Sequence, residues 1–283
     1  MYHQRLPDFF PVAPGQVASI KVPRYALTLN RILLRLGGTT FTKALIQKIE
    51  IKIGTRPVWV IDTVGALAAG TILDSINKYK GIFDQATNLT IDLTERDFLT
   101  IAAREIGGID MSKLSDDVYI NITVASGAVA PTMYGYMFLT PPQGKDIEEG
   151  QLIQKIVAIP YSFSTGGRQL ISFDPKGALL KRIYTTFTGS NGTATTESNL
   201  SKFEVKKNGY TLFELMSTDN KFLQQEYRKV PQSGLFVTDM TFDNNLSGAL
   251  VTADAQALEF APTFTAADSG VMLFEVLDAP YNL

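Results

Sequence analysis

The chain has 283 residues, a length comfortable for two domains of roughly 140 residues each. Apolar residues make up 45% of it and charged residues 19%, and 26 basic against 28 acidic residues give a net charge of −2. This balance supplies no basic face for direct binding of nucleic acid. The absence of cysteine and the single histidine, His3, exclude a disulfide framework and speak against metal or histidine-dependent catalysis, so we expect no enzyme and no cofactor.

Short apolar runs with turn residues between them fill the first half of the chain, which is the pattern of an all-β protein. Residues 15–22 alternate between apolar and polar side chains. Residues 49–53 alternate in the same way and return as residues 58–61, which predicts a β-hairpin. The single tryptophan, Trp59, lies in the returning strand, where we expect it to be buried. Further strands are predicted at residues 31–36, 89–93, 118–124 and 134–140.

Two helices interrupt these strands. The first has an apolar stripe at helical spacing and a glycine at its end: Ile72, Leu73, Ile76, Tyr79 and Gly81. The second segment begins at Thr94 with Asp97 in the place of a capping-box glutamate, and it predicts a helix that ends near Ile106. We expect both helices to pack against a sheet.

The second half of the chain repeats the order of the first. The hairpin of residues 48–61 corresponds to residues 202–215, and the first strand of each carries Lys-x-Glu-x-Lys. Four further pairs of segments match in the same order: 19–23 with 171–175, 78–80 with 226–228, 89–97 with 235–243, and 134–139 with 272–277. Five matched elements in one order indicate the duplication of a single β domain.

About eight strands in each half, with helices in the connections, fit a jelly roll better than an immunoglobulin sandwich. We therefore predict an all-β fold of two tandem eight-stranded jelly-roll β-sandwich domains with short inserted helices. A polar, turn-prone connection near residue 145 separates them. The predicted organisation is an N-terminal tail of residues 1–14, a first jelly roll of residues 15–145 and a second of residues 146–283.

Patterns that could carry chemistry are weak. The stretch from Asp62 to Gly65 resembles the Asp-Thr-Gly of pepsin-like proteases, but a valine is inserted and the second half has no counterpart. Residues 65–70 have the glycines of a phosphate loop without the lysine that follows them. Four carboxylates could serve as calcium ligands, although solvated turn carboxylates explain them better: Asp116, Asp117, Asp239 and Asp243.

The N-terminal tail has an unusual composition of aromatic and basic side chains: Tyr2, His3, Arg5, Phe9 and Phe10. Prolines at positions 7, 11 and 14 exclude a long helix. Two interpretations are open, a tail that lies over its own domain and an anchor to another surface. No signal peptide and no segment long enough to span a bilayer is predicted.

Several of these features together resemble a known family: the short tail, the strand of residues 17–23, the strand of residues 31–36 that Gly37 and Gly38 close, the hairpin of residues 50–59, the inserted helix and the duplication. They are similar to the double jelly-roll major capsid proteins of tailless icosahedral bacteriophages that enclose a membrane, and to the corticovirus coat protein above all. The resemblance covers roughly residues 10–280. It implies homotrimers of pseudo-hexagonal outline that tile the virion shell, made in the host cytoplasm, with neighbouring trimers and penton or minor capsid proteins as partners.

The resemblance also implies that the N-terminal segment points inward. We therefore expect Tyr2, His3, Arg5, Phe9 and Phe10 to contact the internal membrane or an inner-layer protein, and deletion of residues 2–10 to leave the trimer folded. The alternative function is that of a carbohydrate- or receptor-binding β-sandwich protein, such as a spike or adhesin. An enzyme on a duplicated β scaffold is disfavoured because His3 is the single histidine of the chain.

Overall fold

The structure is a computed structural model that describes residues 2–142, 152–175, 177–189 and 198–282, without the side chains of residues 101 and 102. The predicted domain boundary near residue 145 lies outside the described residues. The chain divides into two compact units. Unit 1 comprises Met1–Asn77, Phe83–Val157 and Leu277–Leu283, and unit 2 comprises Lys78–Ile82 and Ala158–Val276.

The first half of the chain forms nine strands and two α-helices: β1 (Tyr2–Arg5), β2 (Val17–Lys21), β3 (Thr28–Gly37), β4 (Ile46–Ile53), β5 (Arg56–Asp62), α1 (Ala69–Tyr79), β6 (Asn88–Asp92), α2 (Ile101–Glu105), β7 (Ile109–Asp110), β8 (Val118–Val124) and β9 (Thr132–Thr140). A 3-10 turn at Lys43–Leu45 precedes β4.

The described residues of the second half form nine more strands and one α-helix: β10 (Ile153–Phe163), β11 (Gly167–Arg168), β12 (Leu179–Thr186), β13 (Leu200–Lys207), β14 (Tyr210–Met216), α3 (Ser217–Glu226), β15 (Leu235–Asp239), β16 (Leu250–Val251), β17 (Leu258–Phe264) and β18 (Asp268–Asp278). A 3-10 turn at Leu246–Gly248 precedes β16.

Unit 1 contains two antiparallel sheets. One has the strand order β1-β9-β3-β6, with the short β7 beside β3, and the other has the order β2-β8-β4-β5. If the eight main strands are counted along the chain, these orders are 1-8-3-6 and 2-7-4-5, the arrangement of a jelly roll. The start of β10, which belongs to unit 1, lies parallel to β5 with Ile156 opposite Trp59.

Unit 2 has the same arrangement. Its sheets have the orders β10-β18-β12-β15 and β11-β17-β13-β14, which again read 1-8-3-6 and 2-7-4-5. A helix stands between the fifth and sixth main strands of each half, α1 in the first and α3 in the second. The all-β fold of two jelly rolls with short inserted helices, predicted from the duplicated pattern, is confirmed.

The two matched hairpins agree in the details of their pairing. Ile51 lies opposite Trp59 in the β4–β5 hairpin, and Val205 lies opposite Phe213 in the β13–β14 hairpin. The register of each hairpin shifts at the next residue of its first strand. A β-bulge at the same place in both hairpins is a feature that duplicated domains retain.

The cores are built from the inward positions of the strands. In β8 the burial alternates from Val118 to Val124, so that every second side chain lies between the sheets. Trp59 is only 1% exposed, as its position in the hairpin predicts. Helix α1 ends at Tyr79, and Gly81 follows with a φ of +72° that closes the helix as predicted.

The second predicted helix is much shorter than its sequence pattern. Residues 94–100 are not helical, and α2 covers Ile101–Glu105 alone, so the prediction of a helix from Thr94 is wrong. Thr100 provides the cap instead, because its hydroxyl oxygen accepts a hydrogen bond from the backbone N–H of Ala103 at 3.2 Å. Phe98 is buried ahead of the helix. None of the helices in the described ranges is long and apolar enough to cross a bilayer.

Candidate assembly surfaces

The segment predicted as an N-terminal tail supplies an edge strand of unit 1. β1 pairs antiparallel with β9, with Tyr2 opposite Leu139 and Arg5 opposite Tyr136. The ladder continues beyond the strand, where the N–H of Leu6 donates to the carbonyl of Gly135 at 2.9 Å. The first residues of the chain are therefore part of the jelly roll.

Two adjacent aromatic residues of this segment have opposite environments. Phe9 is 4% exposed and belongs to the core, whereas Phe10 is 79% exposed. The backbone of Phe10 exchanges two hydrogen bonds of 3.1 Å with Ser19 of β2, which fixes the direction of its side chain. Phe10 can contact another surface, but Phe9 cannot, because its ring is already enclosed by its own unit.

The polar members of the segment lie on the outward face of the sheet. The ring of His3 lies 4.7 Å from the ring of Phe138. Arg5 forms an exposed ion pair of 3.0 Å with Asp8, and its guanidinium lies 5.3 Å from the centre of the Tyr134 ring. The structure thus brings His3 and Arg5 together with aromatic side chains of β9, while the exposed Tyr2 begins the strand.

The same face continues across the sheet as a row of paired residues. His3 lies opposite Phe138, Phe138 lies opposite Arg31, and Arg31 lies opposite Asp92. Arg31 donates to the Asp92 carboxylate at 2.9 Å and lies over the Phe138 ring at 5.7 Å. We did not predict this row, since it joins four strands that are far apart in the sequence. Arg31 and Arg35 are four residues apart in β3 and so lie on the same face of the strand. This spacing is the sequence pattern that could have indicated a charged outward face.

The Lys-x-Glu-x-Lys strand of unit 2 forms an ionic cluster on an outward face. Glu204, 7% exposed, accepts hydrogen bonds from Lys202 at 2.5 Å and from Arg168 at 3.0 Å. The bonds from these cations, Lys202 foremost, lower the pKa of Glu204 to about 2 against the opposing effect of burial. Lys202 also reaches Glu214 across the hairpin at 2.9 Å.

The matching strand of unit 1 carries a similar cluster. Glu50 lies 3.3 Å from Lys48 and 3.0 Å from Lys52, and the amide of Asn121 donates to it at 3.1 Å. Burial raises the pKa of Glu50, but hydrogen bonds from Lys52, Asn121 and Lys48 together lower it below its usual value. Both clusters keep a nearly buried carboxylate ionised.

Unit 2 exposes apolar side chains along one sheet edge. In the described part of the chain β14 is the last strand of its sheet, and its exposed residues include Tyr210, Leu212 and Met216. α3 packs against β13 and β14 and exposes Phe222. The corresponding strand of unit 1, β5, is instead paired with β10. An exposed apolar edge strand is a ready site of association.

A network of ion pairs occupies the interior of unit 2. Arg182 contacts Asp239 at 2.9 Å and Glu275 at 3.0 Å, and all three side chains are at most 1% exposed. Glu275 also accepts from three further donors: Lys80 at 2.9 Å, Lys181 at 2.8 Å and Tyr184 at 2.7 Å. Burial raises the pKa of Tyr79 well above its usual value, so this residue stays protonated and donates to Asp239 at 2.8 Å.

This network removes Asp239 from the calcium candidates, because its carboxylate is held by Arg182. Asp117 is likewise paired, with Lys21 at 2.6 Å. Among the described residues no group of three or more His, Asp or Glu side chains is arranged to hold a metal ion.

Two family models account for nearly the whole sequence. The N-terminal domain of the viral coat protein P2 matches residues 3–140, and its C-terminal domain matches residues 153–280. The chain belongs to the viral coat protein P2 family. The protein is therefore a component of the capsid shell of a virion, and its family consists of structural capsid proteins. No curated protein sequence is significantly similar to this coat protein.

Solved capsid proteins share the fold of this coat protein. The major capsid protein P2 of bacteriophage PM2 is similar with a TM-score of 0.82 at 14% identity, over 98% of this chain and 97% of that one. The STIV MCP, from Sulfolobus turreted icosahedral virus, gives 0.72 at 16% identity, over 99% and 97%. The PBCV-1 virus capsid gives 0.62 at 12% identity, over 99% and 94%. The predicted membership of the double jelly-roll capsid proteins is confirmed.

Proposed function

We propose that this coat protein is a major capsid protein whose homotrimers tile an icosahedral virion around an internal membrane. The observation that carries the proposal is the repeated strand order, 1-8-3-6 and 2-7-4-5, in both units of a P2-family chain. Three chains with two similar units each give six units around a threefold axis. Such a particle has a roughly hexagonal outline and tiles a surface without gaps.

The apolar edge of unit 2 supports self-association. β14 ends its sheet and exposes Tyr210 and Leu212, and α3 beside it exposes Phe222. Exposed apolar side chains grouped in this way are characteristic of surfaces that become buried in an assembly. We assign this edge to the contact with a second copy of the chain, since a shell built from one coat protein must bury most of its contact area against itself.

Size-exclusion chromatography with light scattering tests the trimer. We expect a particle of three times the 31.1 kDa of one chain. Leu212→Asp places a charge on the β14 edge and should shift the particle towards the monomer, while Leu170→Asp, at another exposed leucine of unit 2, should leave it a trimer. A stable monomer at micromolar concentration that also fails to form particles would contradict the proposal.

We assign the inward contact to Tyr2, His3, Arg5 and Phe10, with the internal membrane or an inner-layer protein as partner. Phe10 and Tyr2 offer exposed rings of the kind that lie at the depth of lipid headgroups, and Arg5 offers a charge for lipid phosphate. Phe9 is left out because it is buried. Neighbouring trimers and penton or minor capsid proteins complete the proposed partners.

Co-flotation of the trimer with anionic vesicles tests this contact. Phe10→Ser should reduce the bound fraction, and Phe83→Ser, which changes another fully exposed phenylalanine, should not. Equal flotation of the wild-type protein and both variants would reject the membrane contact. We do not propose the alternative of a carbohydrate- or receptor-binding protein, because both halves of the chain match coat-protein domains.

A further inference from the structure

A pocket of about 270 Å³ opens in unit 1 at the end of the sheet formed by β1, β9, β3 and β6. Arg31 at the beginning of β3, Arg96 in the loop after β6, and Arg104 of α2 line it. Phe138, near the end of β9, forms an apolar wall. The pocket therefore combines three guanidinium groups with one aromatic ring.

Three arginines line this pocket in a chain with a net charge of −2, and one of them, Arg96, lies 3.7 Å from the carboxylate of Asp97. Glu105 is the one carboxylate among the lining residues. Asp92 holds Arg31 from outside the lining through a hydrogen bond of 2.9 Å. The backbone carbonyl of Phe98 accepts a hydrogen bond of 2.5 Å from Nε of Arg104, which fixes the direction of this guanidinium group.

Two buried polar atoms at the pocket have no hydrogen-bond partner. One is Nε of Arg31, a donor, and the other is Oδ1 of Asn30, an acceptor on a side chain that is 4% exposed. The amide nitrogen of Asn30 is already used in a bond of 2.9 Å to Thr140. Buried polar groups are normally satisfied, so an unpaired donor beside two further arginines indicates a missing anionic partner.

We propose that this pocket binds a phosphate-bearing anion, supplied by the headgroup of an anionic phospholipid. Guanidinium groups bind phosphate oxygens through paired, charge-assisted hydrogen bonds. The volume suits one phosphate ester rather than an extended polymer. We name the pocket, with Arg31, Arg96 and Arg104 as its cationic groups, the arginine pocket.

The position of the pocket favours a lipid as the source of the phosphate. Tyr2 lies opposite Leu139 and Thr28 lies opposite Thr140, so β1 and β3 begin at the end of the sheet where β9 ends. The ring of His3 packs on Phe138, the wall of the pocket. The arginine pocket thus shares one end of the sheet with Tyr2 and His3 of the proposed membrane contact, and this inference rests on that contact.

Co-flotation of the intact trimer with vesicles is the first arm of the test. The vesicles contain phosphatidylglycerol in phosphatidylcholine, with phosphatidylcholine alone as a reference. The variant Arg96→Gln/Arg104→Gln removes two exposed charges of the pocket and leaves the partly buried Arg31–Asp92 pair intact. Binding to anionic vesicles should weaken roughly tenfold. The control Lys113→Gln/Arg228→Gln removes two exposed charges elsewhere and should change binding less than about twofold.

Inorganic phosphate is the second arm and distinguishes the source of the anion. It should raise the melting temperature of the wild-type protein and of the control, but not of the double variant. A phosphate effect without vesicle binding would support the pocket and assign free phosphate as its ligand. Equal behaviour of the double variant and the wild-type protein in both arms would overturn the inference. Arginine-dependent binding of a single-stranded oligonucleotide instead of either probe would also overturn it.

Light scattering on the same samples separates this inference from the proposed assembly. Trimers that fail to bind either probe overturn the arginine pocket alone. If the protein is monomeric and the double variant still loses phosphate binding, the proposed assembly is overturned and the arginine pocket is retained. The Phe10→Ser variant, which leaves the pocket unchanged, reports on the rest of the membrane contact and should retain the effect of phosphate on the melting temperature.

Discussion

Glu50 and Glu204 occupy the same position in two hairpins, and each is bound by the lysines two residues before and after it. The residue that follows each glutamate in its strand also faces an aromatic partner, Trp59 in one hairpin and Phe213 in the other. The two units therefore share an ionic centre on one face of the strand as well as a backbone register. A carboxylate that is ionised and nearly buried makes these centres sensitive to acid.

Stability should fall in acid through the Glu204 cluster. The pKa of Glu204 is lowered from 4.5 to about 2, so its stabilising effect is complete above pH 4.5 and is lost as the pH falls towards 2. Glu204→Gln should lower the free energy of unfolding by about 1–2 kcal/mol at neutral pH, because solvent screens the partly exposed Lys202 and Arg168. The difference from the wild-type protein should shrink towards zero near pH 2.

Urea unfolding between pH 7 and pH 3 measures this difference. Glu226→Gln, at an exposed glutamate at the end of α3, serves as the control and should change the free energy of unfolding by less than about 0.5 kcal/mol. A difference between wild type and Glu204→Gln that stays constant over the whole range would contradict the assignment.

The two aromatic residues of the matched hairpins should contribute different amounts to the free energy of unfolding. Trp59 is covered by β10 and buried, whereas Phe213 lies half-buried on the edge strand β14. Trp59→Ala should lower the free energy of unfolding by about 3–5 kcal/mol, and Phe213→Ala by about 1–2 kcal/mol. Circular dichroism is the appropriate probe, because Trp59 is the single tryptophan of the chain. Equal losses would show that the edge of unit 2 is covered.

Substitutions of the adjacent residues Phe9 and Phe10 should have different effects on the free energy of unfolding. Phe9→Ala should lower the free energy of unfolding by about 3–5 kcal/mol because Phe9 is buried. Phe10→Ala should change it by less than about 0.5 kcal/mol. Deletion of residues 2–10, which the sequence alone predicts to leave the trimer folded, should instead destabilise the protein, since it removes β1 from the β9 ladder. Thermal melts of the three proteins check these outcomes, and an unchanged melt for the deletion would be inconsistent with β1 as an integral strand.

The buried network of unit 2 should be intolerant of a lost charge. Glu275→Gln leaves Arg182 and Lys181 without a full counter-charge in the interior and should cost about 3–5 kcal/mol. Glu259→Gln, which affects a half-exposed pair with Arg168, should cost less than about 1 kcal/mol. Denaturant unfolding compares the two, and similar small losses would mean that the network contributes little.

The elements that could be predicted from the sequence are those with local signals. The β4–β5 hairpin joins two alternating runs over a short turn, and α1 carries a regular apolar stripe ended by Gly81. The duplication followed from the order of such elements. The helix predicted from Thr94 had the correct periodicity, but the buried Phe98 and the cap at Thr100 place the start of the helix later.

The surfaces could not be predicted because they depend on pairing between distant strands. His3, Phe138 and Arg31 become neighbours only through the β1–β9 and β3–β9 ladders. The different burial of Phe9 and Phe10 could not be predicted, because the prolines around them interrupt the segment. Without a regular periodicity the sequence does not show which side chain faces inward. The arginine pocket draws on two strands, a loop and α2, none of which carries a motif of its own.

Unit 1 is assembled from segments that are synthesised at very different times. Lys155 and Asp278 form an ion pair of 3.0 Å in which both side chains are only 2% exposed, and Arg56 donates to the carbonyl of Tyr281 at 2.6 Å. Until residues 277–282 leave the ribosome, Lys155 lacks its counter-ion and the unit cannot be finished, although most of it emerges first. Truncated chains would therefore have an incompletely folded first jelly roll. Only chains that have been translated through these last residues would fold completely and join a shell.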